Sequence, residues 1–371
     1  MTRVLFVVPH LYGSMRLLAG VLRFLKRDRF AVKLLVLNPF LDLKCEFGSD
    51  VALRVLKGDA SLTQRMRMFC AIQEEAIEHD ILVGYAELTP TYLTALAGYL
   101  RRKPVIGWVH ISLLQVFKLK LRPHAAHRFF LTLIYPRLTR VIGVSEGVSN
   151  ELKSAFGLKN VTCIRNCIDV EEVQRLAAEP LPKGLKSIFE RPVLINVGVL
   201  GYQKAQDVLI AAHSRLMAEG LLHNLLLVGE GPSKKELELL ARDLFVEASV
   251  HFAGLLKNPY PVMARSKAFI LSSRFEGFGL VLVEALALGL PVVATDCDSG
   301  PREILENGRY GLLASPNDPS ALAAAMKRIL IDGELASLLR QRGYQRAWHY
   351  DCGEVVPQVQ LLFDAVARSK P

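Results

Sequence analysis

The 371-residue chain is 51% hydrophobic and 22% charged, a composition that can bury a large core and excludes intrinsic disorder. Its net charge of +10 lies wholly in the first half: residues 1–190 hold 27 Lys and Arg against 17 Asp and Glu, whereas residues 191–371 hold 19 of each. No run of 18 apolar residues exists to span a membrane, and the apolar opening Thr2–Val8 ends at Pro9, which suits a first strand and is too short for a signal peptide.

At this length two domains are expected. Short apolar runs alternate with helical patterns. In the first half the predicted strands are Val4–Val8, Val32–Leu37, Ile81–Tyr85, Val105–Val109, Arg140–Val144 and Val161–Arg165. Helical patterns cover Met15–Lys26, Met66–Glu78 and Thr91–Leu100, and Phe129–Leu138 reads as a core helix with a solvated flank. A Pro/Gly-bearing stretch, Glu179–Leu185, predicts the boundary, giving domains 1–182 and 183–349. The second series has strands at Val193–Val197, Asn224–Val228, Val250–Phe252, Ala268–Leu271, Pro291–Thr295 and Gly311–Leu313. Its helices are Asp207–Glu219, Lys234–Asp243, Val281–Leu288 and Ser320–Ile331, and a closing helix at about 350–371 is expected to pack back on the first domain. Continuous apolar strands followed by amphipathic helices predict an α/β protein of two parallel, Rossmann-like sheets facing across a cleft. Ligands then belong at the carboxyl ends of the strands. The six cysteines are scattered without a metal-binding or redox spacing, so they read as small buried residues in a reducing cytoplasm.

The most informative segment is Ser272–Asp296. A strand ends at Leu271, a loop with Gly277 and Gly279 follows, and a helix starts near Leu280. Glycines let the backbone approach a ligand, and the first N–H groups of a helix attract a diphosphate. Glu276 lies in the loop, and Glu284 lies one turn into the helix, roughly 6 Å beyond its start. Carboxylates there accept hydrogen bonds from sugar or ribose hydroxyls.

Two glutamates eight positions apart in this setting resemble the signature of retaining glycosyltransferases of the GT-B fold, glycosyltransferase family 4. The resemblance extends to Asn196-Val-Gly-Val-Leu-Gly-Tyr-Gln-Lys204 with Asp207, Val228-Gly-Glu-Gly-Pro232, Phe252-Ala-Gly254, Asn258-Pro-Tyr260, Ser299-Gly-Pro-Arg-Glu-Ile304 and Gly311-Leu-Leu313. Val144-Ser-Glu-Gly147 and Asn166-Cys-Ile-Asp169 match more loosely in the first half.

The resemblance implies roles for these residues. Glu276 contacts the donor sugar, Glu284 the ribose, and Lys204 the diphosphate. The amides of Gly277, Phe278, Gly279 and Leu280 approach sugar and phosphates, while Gly229 and Leu255 belong to the donor pocket. His110, ending the strand Val105–Val109, stands where the family carries a histidine beside the sugar and is assigned with Glu276 to catalysis. Gly13 and Ser14 replace the family's glycine-rich loop. Two departures matter: Val199 stands in place of an arginine, and Ala205 in place of a glycine. Arg274 or Arg302 is expected to supply the missing cation, since arginine binds phosphate bidentately.

Neither a metal nor another cofactor is implied; Asp296-Cys-Asp298 imitates a manganese motif but follows a strand of the wrong domain. The expected function is therefore transfer of a sugar, with retention, from a nucleotide diphosphate sugar (a UDP-sugar favoured over a GDP-sugar) to a glycan or lipid-linked acceptor in cell-surface polysaccharide or glycolipid synthesis. A GT-B nucleotide-sugar epimerase and a non-catalytic nucleotide-sugar-binding protein are the alternatives. The basic first half points to an anionic membrane surface as a further partner, with the protein cytoplasmic and peripheral at the inner face. Nucleic acid is not expected as a partner, because no recognition module accompanies the charge.

Overall fold

Apolar runs such as Val4–Val8 and Val193–Leu194 are wholly buried because they form the central strands of two parallel sheets covered by helices. The computed structural model describes residues 1–9, 15–38, 47, 50–56, 62–119 and 124–368. Two compact units result, residues 1–167 with 352–371, and residues 168–351.

The first unit comprises β1 (Thr2–Val8), α1 (Met15–Phe24), β2 (Phe30–Val36), β3 (Ala52–Val55), α2 (Leu62–Glu78), β4 (Ile81–Gly84), α3 (Thr89–Arg101) and β5 (Val105–Val109). It continues through α4 (Leu113–Lys118), α5 (His124–Ile134), β6 (Arg140–Gly143), α6 (Glu146–Ser154) and β7 (Val161–Cys163). All its strands are parallel, in the order β3-β2-β1-β4-β5-β6-β7. The order reverses direction between β1 and β4, which defines a switch point at their carboxyl ends.

The second unit opens with α7 (Val170–Ala177) and β8 (Val193–Val197), then α8 (Gln206–Ala218), β9 (Asn224–Val228), α9 (Lys234–Asp243), β10 (Val250–Gly254) and α10 (Tyr260–Ala264). After these come β11 (Ala268–Leu271), α11 (Leu280–Ala287), β12 (Val292–Thr295), α12 (Pro301–Ile304), β13 (Leu312–Ala314), α13 (Pro319–Ile331) and α14 (Gly333–Ala347). Its parallel sheet, β10-β9-β8-β11-β12-β13, switches direction between β8 and β11. The last helix, α15 (Cys352–Arg368), belongs to the first unit, where Phe363 sets its ring edge-on to Phe6 and Phe30.

Three expectations are corrected here. The division falls at Cys167, ahead of Glu179–Leu185, because α7 is tied to the second unit. Gln174 Nε2 donates to Ala287 O at 3.1 Å and Asn258 Nδ2 to Leu176 O at 2.9 Å. Cys167 and Cys352 form a disulfide across a separation of 185 residues, a pairing that only the fold creates. The segment from Phe129 stops being α-helical at Ile134, where a 3-10 turn, Tyr135–Arg137, follows. It does bury one face, through Leu131, Tyr135 and Leu138, but its outer flank is apolar as well, with Phe129, Phe130 and Leu133 61%, 43% and 41% exposed. Among the described residues, no helix is long and apolar enough to cross a membrane.

Candidate functional site

The second unit's switch point gathers the loops after β8 and β11. Their contacts are polar and paired. Beyond β8 the chain turns through Gly198–Lys204, and beyond β11 it runs from Ser272 to Gly279. Ser272 Oγ donates to Lys204 O at 2.7 Å, and the Arg274 amide donates to Gln203 O at 2.8 Å, so the two loops are laced together. Lys204 Nζ then donates to Glu276 Oε1 at 2.6 Å, and Ser273 Oγ donates to the same oxygen at 2.6 Å. Ser299 Oγ reaches the Glu276 carbonyl at 2.5 Å. Glu276 is only 5% exposed, so an opposite charge at this distance is what makes its burial tolerable.

Behind this pair lies a buried amide network. Asn196 Nδ2 donates to Ile270 O at 2.8 Å, and Gln206 Nε2 donates to Val199 O at 3.1 Å, fixing the turn that carries Lys204. Ala205 adopts φ 50°, a left-handed conformation for which glycine is the ordinary residue. The family's glycine at this place thus has a backbone reason, and alanine bears the strain.

Gly279 caps α11 with φ 93°, which frees the first N–H groups of the helix to face the loop. Glu284 sits in the second turn, 8% exposed, and accepts a hydrogen bond from Tyr260 Oη at 2.9 Å. Phe278 is buried against Tyr350, so only its backbone is available to a ligand. Gly229 lies in the turn after β9 with φ 140°, and a Cβ there would collide with Gly198 O; its glycine serves the packing of two turns. Leu255 follows β10 and is 51% exposed.

The two candidate replacement cations are differently occupied. Arg274 gives its Nε to Asn317 Oδ1 at 2.8 Å, one η nitrogen to Tyr202 O at 2.8 Å and to Asp207 at 3.1 Å, and the other to Asp207 at 2.5 Å. Its guanidinium also lies 4.4 Å over the Tyr202 ring. This guanidinium ties together the loops that precede α8, follow β11 and precede α13. Arg302 forms a bidentate pair with Asp296, the first aspartate of the imitated manganese motif. Val199, in the arginine's place, is 48% exposed.

In the first unit, the ends of β4 and β5 bring together Tyr85, Trp108 and His110. His110 stacks on Trp108 with 7° between ring planes and lies 4.6 Å from the Tyr85 ring. Among the described residues, both His110 nitrogens, Tyr85 Oη and Trp108 Nε1 are buried without a hydrogen-bond partner. Burial pushes the His110 pKa down to about 3, so its imidazole is neutral. Gly13 and Ser14 lie outside the described residues.

Sequence reading missed Ser273, Ser299 and the role of Tyr260. Ser273 and Tyr260 both sit within quoted motifs, yet their partners are 3 and 24 positions away, and only the fold shows which hydroxyl meets which carboxylate.

Comparison with known proteins places this geometry. Residues 180–346 match the family described as glycosyl transferases group 1, and residues 13–172 match glycosyltransferase family 4. An uncharacterized glycosyltransferase of Methanocaldococcus jannaschii is 31% identical over 238 residues, covering 56% of this chain and 58% of that protein. The N-acetylgalactosamine-N,N'-diacetylbacillosaminyl-diphospho-undecaprenol 4-alpha-N-acetylgalactosaminyltransferase of Campylobacter jejuni is 32% identical over 227 residues, 61% of this chain and 60% of that one. The matched stretch thus spans less than two thirds of either relative. Among solved structures, Anabaena HepE in complex with UDP and glucose superposes with a TM-score of 0.80 at 20% identity, over 98% of this chain and 100% of that one. Two parallel Rossmann-like sheets with these neighbours define the GT-B fold. The chain belongs to the family 4 type of GT-B glycosyltransferases.

Proposed function

We propose that the protein is a retaining hexosyltransferase that moves a sugar from a nucleotide diphosphate sugar, with UDP favoured, to a glycan or lipid-linked acceptor in cell-surface polysaccharide or glycolipid synthesis. The observation that carries this reading is the buried Lys204–Glu276 pair at the second unit's switch point, beside the start of α11. An ammonium has three N–H donors, so Lys204 holds Glu276 and still has donors for a diphosphate. Glu276 accepts from donor-sugar hydroxyls, and the amides of 277–280 face the phosphates. Glu284 holds the ribose. Gly229 and Leu255 border the nucleotide, and the resemblance assigns Gly13 and Ser14, which lie outside the described residues, to the same donor. His110, neutral and with two unpartnered nitrogens, accepts from a sugar hydroxyl.

In the reaction, the bond from the anomeric carbon to the β-phosphate oxygen breaks and one to the acceptor oxygen forms on the same face. The acceptor's proton passes to the departing phosphate. Lys204 and the amides absorb the charge that develops there, and electrostatic stabilisation of this kind is worth several kcal/mol, about 3 per well-placed donor.

The acceptor side is read from charge. Between Leu88 and Ser145 the sequence holds nine Lys and Arg and no Asp or Glu, and α5 within that stretch exposes Phe129, Phe130 and Leu133. A basic surface with aromatic residues suits an anionic lipid leaflet and supports a peripheral location at the cytoplasmic face, where nucleotide sugars are made. Nucleotide release from a panel of UDP- and GDP-sugars, with and without extracted lipid acceptors, tests the function. Glu276→Ala should lower turnover at least 100-fold, and turnover unaffected by that change removes Glu276 from the site.

A further inference from the structure

The Asn258-Pro-Tyr260 turn carries chemistry that the proposed roles leave unused. Tyr260 begins α10, is 4% exposed, and donates its hydroxyl proton to Glu284 Oε1 at 2.9 Å. The turn beneath it is held from both sides. Tyr260 N donates to Asn258 Oδ1 at 3.1 Å, and Asn258 Nδ2 donates to Leu176 O and to Glu179 Oε2, each at 2.9 Å. The far end of the Glu284 helix is gripped by the same α7, through Gln174 Nε2 on Ala287 O at 3.1 Å. Helix α7 therefore fixes the phenol and the carboxylate relative to each other.

We infer that Tyr260 is a positioning residue that orients the Glu284 carboxylate for the vicinal hydroxyls of the nucleotide's ribose, and so sets discrimination against deoxyribose. This rests on the nucleotide-sugar reading above. A glutamate has three side-chain torsions, and holding it in one rotamer has an entropic cost that a bound ligand would otherwise bear. The phenol bears that cost before the ligand arrives. It contributes no charge, unlike Lys204 at Glu276, and its bond takes up only one of a carboxylate's roughly four lone-pair sites. A buried acceptor left without its hydroxyl partner is penalised, which is how such a site rejects a deoxy analogue.

The test is calorimetric titration of the full chain with UDP, 2′-deoxy-UDP and 3′-deoxy-UDP, and with the same GDP set. Wild type should prefer the ribose form by about tenfold or more. Tyr260→Phe keeps the ring in place; it should weaken ribonucleotide binding about five- to tenfold and leave the deoxy forms nearly unchanged, so the ratio collapses. In a Glu284→Gln background, adding Tyr260→Phe should cost nothing further. Asn258→Ala, which loosens the turn without touching the phenol, should lower the same ratio about twofold, a smaller effect through the same chain. A uniform loss for ribo- and deoxyribonucleotides, an unmoved ratio, or additive losses in the double variant overturns the role of Tyr260. A wild type that binds neither UDP nor GDP overturns the transferase reading, and this inference with it.

Discussion

The polar clusters at the carboxyl ends of the two sheets are built on opposite terms. In the second unit Lys204 and Ser273 satisfy Glu276 through short bonds, and behind them Asn196 and Gln206 pair with each other and with the backbone. In the first unit Tyr85, Trp108 and His110 lie ring against ring, and four of their polar atoms have no partner among the described residues. A self-satisfied cluster is stable without a ligand and can be preorganised for charge. An unsatisfied one costs stability, about 1–3 kcal/mol for each buried group left unpaired, and is retained where something outside the chain completes it. This fits a donor site set in advance and an aromatic wall finished by sugar hydroxyls.

The largest effect that can break this contrast lies at Lys204. Replacing it by Met leaves Glu276, 6% exposed along its side chain, as a buried charge without its cation. Stability should fall by about 3–5 kcal/mol and nucleotide release at least 100-fold, measured by denaturant unfolding and by turnover. Lys204→Met combined with Glu276→Gln should recover most of the stability and none of the activity. Recovery of both would mean that the pair is structural only.

A second comparison sets the unsatisfied histidine against a satisfied one. In the second unit His223 Nδ1 lies 2.7 Å from Leu221 O, which makes it the donor, so its Nε2 accepts from His213 Nδ1 at 2.9 Å. His213 Nε2 lies 2.8 Å from Ser249 Oγ, which is also 3.0 Å from Val246 O, so every nitrogen of the two imidazoles has a partner. Burial pushes His213, like His110, down to about 3. The folded values lie below the unfolded value of about 6.5, so only the unfolded chain takes up protons between those limits. Stability is complete above pH 6.5 and is lost as pH falls, by about 2 kcal/mol per histidine at pH 5. Each histidine replaced by Phe should remove one share of that slope. At pH 7.5 the two replacements should diverge. His110→Phe removes unpartnered nitrogens and keeps the stacking on Trp108, stabilising by about 1 kcal/mol, whereas His213→Phe strands His223 Nε2 and destabilises by about 1–3 kcal/mol. Equal behaviour of the two variants in unfolding at pH 7.5 and pH 5 would erase the distinction between the clusters.

Legibility in the sequence follows the same divide. Among the described residues, twelve of the thirteen strands were visible as apolar runs, the central ones most clearly because central parallel strands are buried on both faces. The exception, β3, is an edge strand with Ala52 and Leu53 exposed and Arg54 bonded to Glu74 and Glu75, so it lacks the apolar signature. Glu276 and Glu284 stood out because loop glycines and a helix start leave a local pattern, whereas Lys204 was marked only by the resemblance of its block to the family's. Nothing local marks Tyr260 as the partner of Glu284, the Cys167–Cys352 disulfide, or the commitment of Arg274 to Asp207. These are pairings between distant positions, created by the order of strands. Helix α5 misled for another reason: its aromatic residues suit a core, and only its packing shows that they face outward.

The smallest effect sharpens the account of the preorganised site. Val199 stands where the family has an arginine, and its carbonyl accepts from Gln206 Nε2, so the backbone there is already held in place. Since its side chain is 48% exposed, Val199→Arg should disturb no core packing. A half-exposed guanidinium near a diphosphate is screened by water and salt, so the gain should be modest, about three- to fivefold tighter UDP binding at low ionic strength. The gain should be smaller for UMP, absent for uridine, and lost in high salt. An equal gain for uridine would assign the effect to contact with the base, and no gain at all would mean that this turn does not face the diphosphate. Only the predicted order of ligands makes Lys204, already neutralised in part by Glu276, the cation on which a donor site lacking its second positive charge depends.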